Sequence, residues 1–106
     1  MFGRQVTLKL KADSATELNR ITEAEILPIL RKQKGFRDET TFIAPERSEA
    51  IFNSFWDTKE DADAYGRSAY PEVLKTVSNV IDGTPVVKTF EFASSTFQPV
   101  ASSKLV

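Results

Sequence analysis

Neither cysteine nor histidine occurs among the 106 residues. The first absence removes disulfides, thiol nucleophiles and thiolate metal sites. The second removes the commonest general base, the usual imidazole ligand of zinc and copper, and the proximal ligand of most haem proteins. No Ser-His-Asp set can form, and any metal site would have to be all-oxygen. Glycine is scarce, and its four residues stand alone, so there is no glycine-rich phosphate loop. No apolar run approaches a membrane span, and the opening MFGRQVTLKLKADS lacks the apolar core of a signal peptide. The expectation is a cytoplasmic protein with no membrane partner. Charge of one sign is not in excess either. Fourteen basic and 15 acidic residues leave a net charge of −1, without the basic stripe that nucleic acid would require.

What is present fits one domain, residues 1–106, with 95–106 as a small, polar C-terminal tail. QVTLKLKA alternates strictly, Val6, Leu8 and Leu10 on one face and Thr7, Lys9 and Lys11 on the other, which predicts a strand. Ser14 with Glu17 three residues on reads as a capping box at the start of a helix. Leu18, Ile21 and Ala24 continue at helical spacing into ILPIL, where Pro28 predicts a kink near Leu27. Gly35 suits the left-handed end of that helix. FRDETTFIA and EAIFNSFWD follow as two strands joined by PERS. Asp57 or Thr58 then caps a second helix, which Tyr70-Pro71 interrupts before it resumes through Val73, Val77 and Ile81. DGTP reads as a turn and VVKTFEF as the last strand.

The order is β-α-β-β-α-β, a ferredoxin-like split βαβ sandwich of the α+β class with a four-stranded antiparallel sheet. Two helices cover one face of such a sheet. The strand IFNSFW is apolar on both, with Phe52 and Trp56 on one side and Ile51 and Phe55 on the other. The second face therefore needs a cover, and a second copy of the same sheet supplies it: the expectation is a homodimer through sheet faces.

Across residues 5 to 95 the chain resembles the dimeric α/β-barrel superfamily, in its antibiotic-biosynthesis-monooxygenase-like (ABM) branch. The segments that carry the resemblance are LPILRKQKGFRDETTF, SFWDTKEDADAY, RSAYPEVLKTV and VVKTFEF. It implies a pocket between sheet and helices in each subunit. There, flat phenolic compounds react with oxygen without metal or flavin, the substrate's own carbanion supplying the electrons. It also implies that Trp56 matches the tryptophan at the strand end. Haem-degrading relatives add a histidine on the second helix as iron ligand, and this chain has none.

The candidate substrate-binding residues are Trp56, Tyr65 and Tyr70. Trp56 stands at a strand end before a capped helix, where a side chain can reach the mouth of a cavity between sheet and helices. It is read either as an anchor in the core with its indole N–H on a backbone partner, or as a wall with one ring face on the cavity. The tyrosines flank a broken helix and are read as core rings whose hydroxyls can polarise a ligand oxygen. Asn53 has the opposite parity to Trp56 and is read as an interface amide. Arg67 is read as the helix-surface partner of Asp63. The cluster Asp57, Glu60, Asp61 and Asp63 lacks the spacing of a calcium loop and is explained by the helix dipole, so no metal or other cofactor is expected. With no histidine, general-base work would need a carboxylate or the substrate's own acidity. The function readings are a cofactor-independent monooxygenase acting on a small aromatic compound, or a non-catalytic ligand-binding or structural dimer.

Overall fold

The computed structural model describes residues 1–94. The tail at 95–106 lies outside the described residues. Four strands form one antiparallel sheet: β1 (Phe2–Leu10), β2 (Phe36–Ile43), β3 (Glu49–Trp56) and β4 (Ile81–Glu91), in the order β2-β3-β1-β4. Two helical layers cross one face. The first comprises α1 (Ala15–Ile21), a wider turn at Thr22–Ile26 and α2 (Leu27–Arg31); the second comprises α3 (Lys59–Arg67) and α4 (Tyr70–Val77). This is the ferredoxin-like α+β arrangement read from the sequence.

Pro28 acts one turn earlier than its ring. The Leu27 N–H reaches back five residues to the Thr22 carbonyl, so the chain widens into a π turn before α2. Pro28 has no N–H to offer the residue four places back, and a wider turn is a common way for a helix to absorb that loss. Buried Thr22 keeps its hydroxyl satisfied on the Leu18 carbonyl at 2.8 Å. Ser14 begins α1 as expected, but no capping box forms: its side chain makes no cap bond, and Glu17 pairs with Arg20 at 2.6 Å. Thr58 does cap α3, accepting the Asp61 N–H at 3.1 Å. The break before Pro71 falls between Arg67 and Tyr70. Gly35 takes a positive φ of 79°, the left-handed conformation glycine permits. DGTP is a bulge inside β4 and not a turn: Val86 pairs with Thr7 and Asp82 with Lys9, so extra residues of β4 oppose Leu8. Pro85 is tolerated because β4 is an edge strand, and a bulge asks no ladder bond of it.

The pleat decides which side chains meet the helices. Phe2, Arg4, Val6 and Leu8 of β1 lie opposite Trp56, Ser54, Phe52 and Ala50 of β3, all on the helix-facing side. On β2 a bulge between Phe36 and Asp38 shifts the register, so that Phe36 opposes Trp56 while Glu39, Thr41 and Ile43 oppose Ser54, Phe52 and Ala50. Leu18, Ile26, Trp56 and Val77 are fully buried between the layers. The outer face carries Gln5, Ile51, Asn53 and Phe55 with Phe42, Val86 and Phe90. The last three are 58%, 54% and 51% exposed. No helix among the described residues is long and apolar enough to cross a membrane.

Candidate functional site: a cavity between the sheet and the helices

The cavity has the sheet as its floor, formed by Arg4, Val6, Leu8, Glu39, Phe52 and Ser54. Ile26 and Leu30 close it from the first helical layer, and Tyr65, Tyr70, Val73, Leu74 and Val77 from the second. The cavity has a volume of about 30 Å³ and is partly open to solvent. That is room for one or two waters. It is far below the volume of a ligand pocket, so an aromatic ring enters only where lining side chains yield.

Two charged residues enter this apolar floor. Arg4 is 8% exposed, and its guanidinium lies 4.1 Å from the centre of the Tyr70 ring and 5.2 Å from that of Tyr65. Both separations are cation–π distances. Gly66 on α3 lies beside the guanidinium, where a Cβ would meet Arg4 Nη2 at 3.4 Å, an ordinary contact. Burial pushes the guanidinium below its ordinary pKa, opposed by Tyr65 and Tyr70, but arginine stays protonated in proteins. Glu39 holds both its carboxylate oxygens on the Thr41 hydroxyl, at 2.9 and 3.1 Å. Burial nevertheless pushes its carboxyl up to about 7, outweighing that bond and helped by Asp38. A carboxyl that titrates near neutrality can give or take a proton at working pH.

The tyrosines are held beside these charges. Tyr65 is buried and stacks on Trp56, centroids 5.0 Å apart and planes 28° from parallel, and Tyr70 lies 6.0 Å beyond it. Burial raises the Tyr65 hydroxyl to about 12 and raises that of Tyr70 as well. Both stay neutral at ordinary pH and act as hydrogen-bonding groups.

Of the three residues expected to contact a ligand, Tyr65 and Tyr70 line the cavity and Trp56 stands one layer behind it. The indole is 0% exposed. Tyr65 covers one face, Phe36 meets it edge-on at 5.5 Å, and the indole N–H donates to the Ser54 hydroxyl at 2.9 Å. The partner is thus a side chain and not the backbone, because Ser54 lies two residues back on the same pleat face. The ring face that was free to border the cavity is taken by Tyr65. Asn53 is on the outer face, where its carbonyl oxygen accepts from the Gln5 amide at 3.2 Å. Asp63 pairs with Lys59 at 2.7 Å rather than with Arg67, and Asp57 pairs with Arg37 at 3.0 Å.

Arg4 and Glu39 are the residues that sequence reasoning missed. Arg4 left a signal: it continues the buried parity of Val6, Leu8 and Leu10 toward the amino terminus, a charge where the pattern demands an apolar group. Glu39 left none, because the bulge after Phe36 reverses the parity that unbroken alternation assigns to it.

No protein-family model matches the sequence. Among curated proteins no relative matches it. Its fold is nevertheless shared with known structures. A Streptomyces coelicolor monooxygenase, solved with the ligand nanaomycin D, superposes with a TM-score of 0.75 at 13% identity, over 89% of this chain and 88% of its own. An antibiotic biosynthesis monooxygenase gives a TM-score of 0.70 at 9% identity, over 89% of this chain and 100% of its own. A Mycobacterium tuberculosis protein gives 0.69 at 14% identity, over 90% and 97% respectively. At such identities the likeness is one of fold, and that fold is the one that the sequence resemblance implied.

Proposed function

We propose that the chain binds a small flat aromatic compound in this cavity and oxidises it with molecular oxygen, without metal or organic cofactor. One observation carries the reading: a carboxyl group held near a pKa of 7 in an apolar cavity walled by two tyrosines. Glu39 then supplies the base that the absence of histidine leaves open. It takes a proton from an acidic CH2 of the activated ring system. The carbanion gives its electrons to oxygen, one oxygen atom stays as a new carbonyl, and the other leaves as water with the two hydrogens of the CH2. Tyr65 and Tyr70 hold the ring, and Trp56 backs Tyr65. The nanaomycin D bound in the Streptomyces coelicolor structure of the same fold supports a ligand cavity of this kind.

The proposal includes a second copy of the chain on the outer sheet face, where Phe42, Val86 and Phe90 present apolar surface beside Ile51 and Phe55. A ligand-binding or structural dimer without turnover is the second reading, and the cavity volume of about 30 Å³ favours its structural form. Oxygen uptake with an air-exposed anthrone separates the two. Turnover that falls about 100-fold or more in Glu39→Gln supports the enzyme, since general-base catalysis contributes on that scale. Ligand binding with no oxygen consumption would leave the binder.

A further inference from the structure

Among the described residues, ion pairs join Arg20 to Glu17, Arg37 to Asp57 and Lys59 to Asp63. All three lie at the surface. Arg4, the most buried cation among the described residues at 8% exposed, forms no ion pair with any carboxylate there. Glu39 faces the same cavity but stands two strands away, with Ser54 between them in register, roughly 10 Å at ordinary strand spacing. Buried charges are normally paired, because leaving water is costly for an ion without a counter-charge. The two tyrosine rings meet the guanidinium with their faces, which compensates only part of that cost. Asp63 acts on the guanidinium from beyond pairing distance, and the cavity that the guanidinium lines is open to a counter-charge that could pair with it directly.

We infer that Arg4 makes the cavity selective for anionic aromatic ligands, an oxyanion of carboxylate or phenolate type on the guanidinium and a flat apolar body against Val6, Ile26, Phe52 and Val73. This rests on the reading of the cavity as a ligand site and adds the class of ligand. The planar fork of arginine matches a carboxylate with two parallel bonds. A neutral ring of the same size would fill the apolar part and leave the cation unpaired.

The test is a calorimetric titration of the full chain at neutral pH with two matched pairs of probes, benzoate against benzamide and 1-naphthoate against 1-naphthamide. At least one anion should bind 10-fold or more tighter than its neutral isostere. That preference should vanish in Arg4→Gln and survive in part in Arg4→Lys, with circular dichroism confirming that both variants fold. Equal affinity of the wild-type chain for anion and amide overturns the selectivity but leaves the cavity as a ligand site. A preference that persists unchanged in folded Arg4→Gln also overturns it. Binding of no probe overturns both the selectivity and the ligand-site reading. The wild-type comparison requires no variant, so a misfolded Arg4→Gln leaves the proposal exposed to refutation.

Discussion

Arg4 and Glu39 occupy one row of the sheet, either side of Ser54, and both face the cavity under the helices. They are close enough to serve one ligand and too far apart to neutralise each other. Arg4 keeps its charge, and Glu39 is held near the point where it loses or gains one. A cavity with a fixed cation at one end and a titrating carboxyl at the other suits a ligand that is deprotonated while bound.

The raised carboxyl has a consequence for stability. Its pKa is about 7 in the fold against an ordinary 4.5, so the folded chain binds this proton more tightly than the unfolded one. The contribution is fully present below pH 4.5 and is lost as pH rises to 7. A tenfold difference in proton affinity is worth about 1.4 kcal/mol, and partial exposure of the group reduces the whole to about 1–2 kcal/mol. Glu39→Gln should therefore match the wild type near pH 4 and exceed it by that amount at pH 8. Urea melts at the two pH values measure it, and parallel pH profiles for the two proteins would show that Glu39 is not the group responsible.

The sequence made the sheet and the helix order legible because its apolar periods are clean in β1, β3 and α4. Alternation alone puts Ala50, Phe52, Ser54 and Trp56 of β3 on one face, and the pairing with β1 turns that face toward the helices. Bulges hid the rest. One after Phe36 turns Glu39 inward and sends Phe42 to the outer face, and another around Pro85 disguises part of β4 as a turn. Arg4 was overlooked because charge at a strand start reads as solvated, although its parity places it with the core. The order of rings behind the cavity was illegible for another reason. Whether Trp56 or Tyr65 fronts the space depends on how α3 packs across the strand end, which no local pattern encodes.

Outer-face association is the next test. Phe42, Val86 and Phe90 are all more than half exposed, on a face with Ile51 and Phe55 between them. Exposed apolar patches of this kind mark association surfaces. Sedimentation equilibrium at micromolar concentration should give about twice the chain mass for the wild type, and the single-chain mass for Phe42→Glu combined with Phe90→Glu. Those positions lie outside the cavity, so circular dichroism should show the variant folded. A wild-type chain that stays folded and monomeric at these concentrations would refute the barrel dimer.

The bond from the Trp56 indole to the Ser54 hydroxyl can be weighed separately from the packing of the ring. Tyr65 stacks on the indole and Phe36 meets it edge-on, and the N–H has the Ser54 oxygen at 2.9 Å as its partner. Trp56→Phe keeps an aromatic ring but leaves a small void and frees Ser54, whose hydroxyl can still donate to the Arg4 carbonyl at 3.4 Å; a cost of about 2 kcal/mol is expected. Ser54→Ala strands the indole N–H in a buried place, which costs about 1–3 kcal/mol. In the double variant neither polar group is stranded by the loss of the other. Its destabilisation should fall short of the sum of the single effects by about 1 kcal/mol, the coupling expected of residues in contact. Denaturant melts of the four proteins yield that difference. Strict additivity would mean that the indole is held by its ring neighbours alone, and that Ser54 matters to the cavity only as the spacer between Arg4 and Glu39.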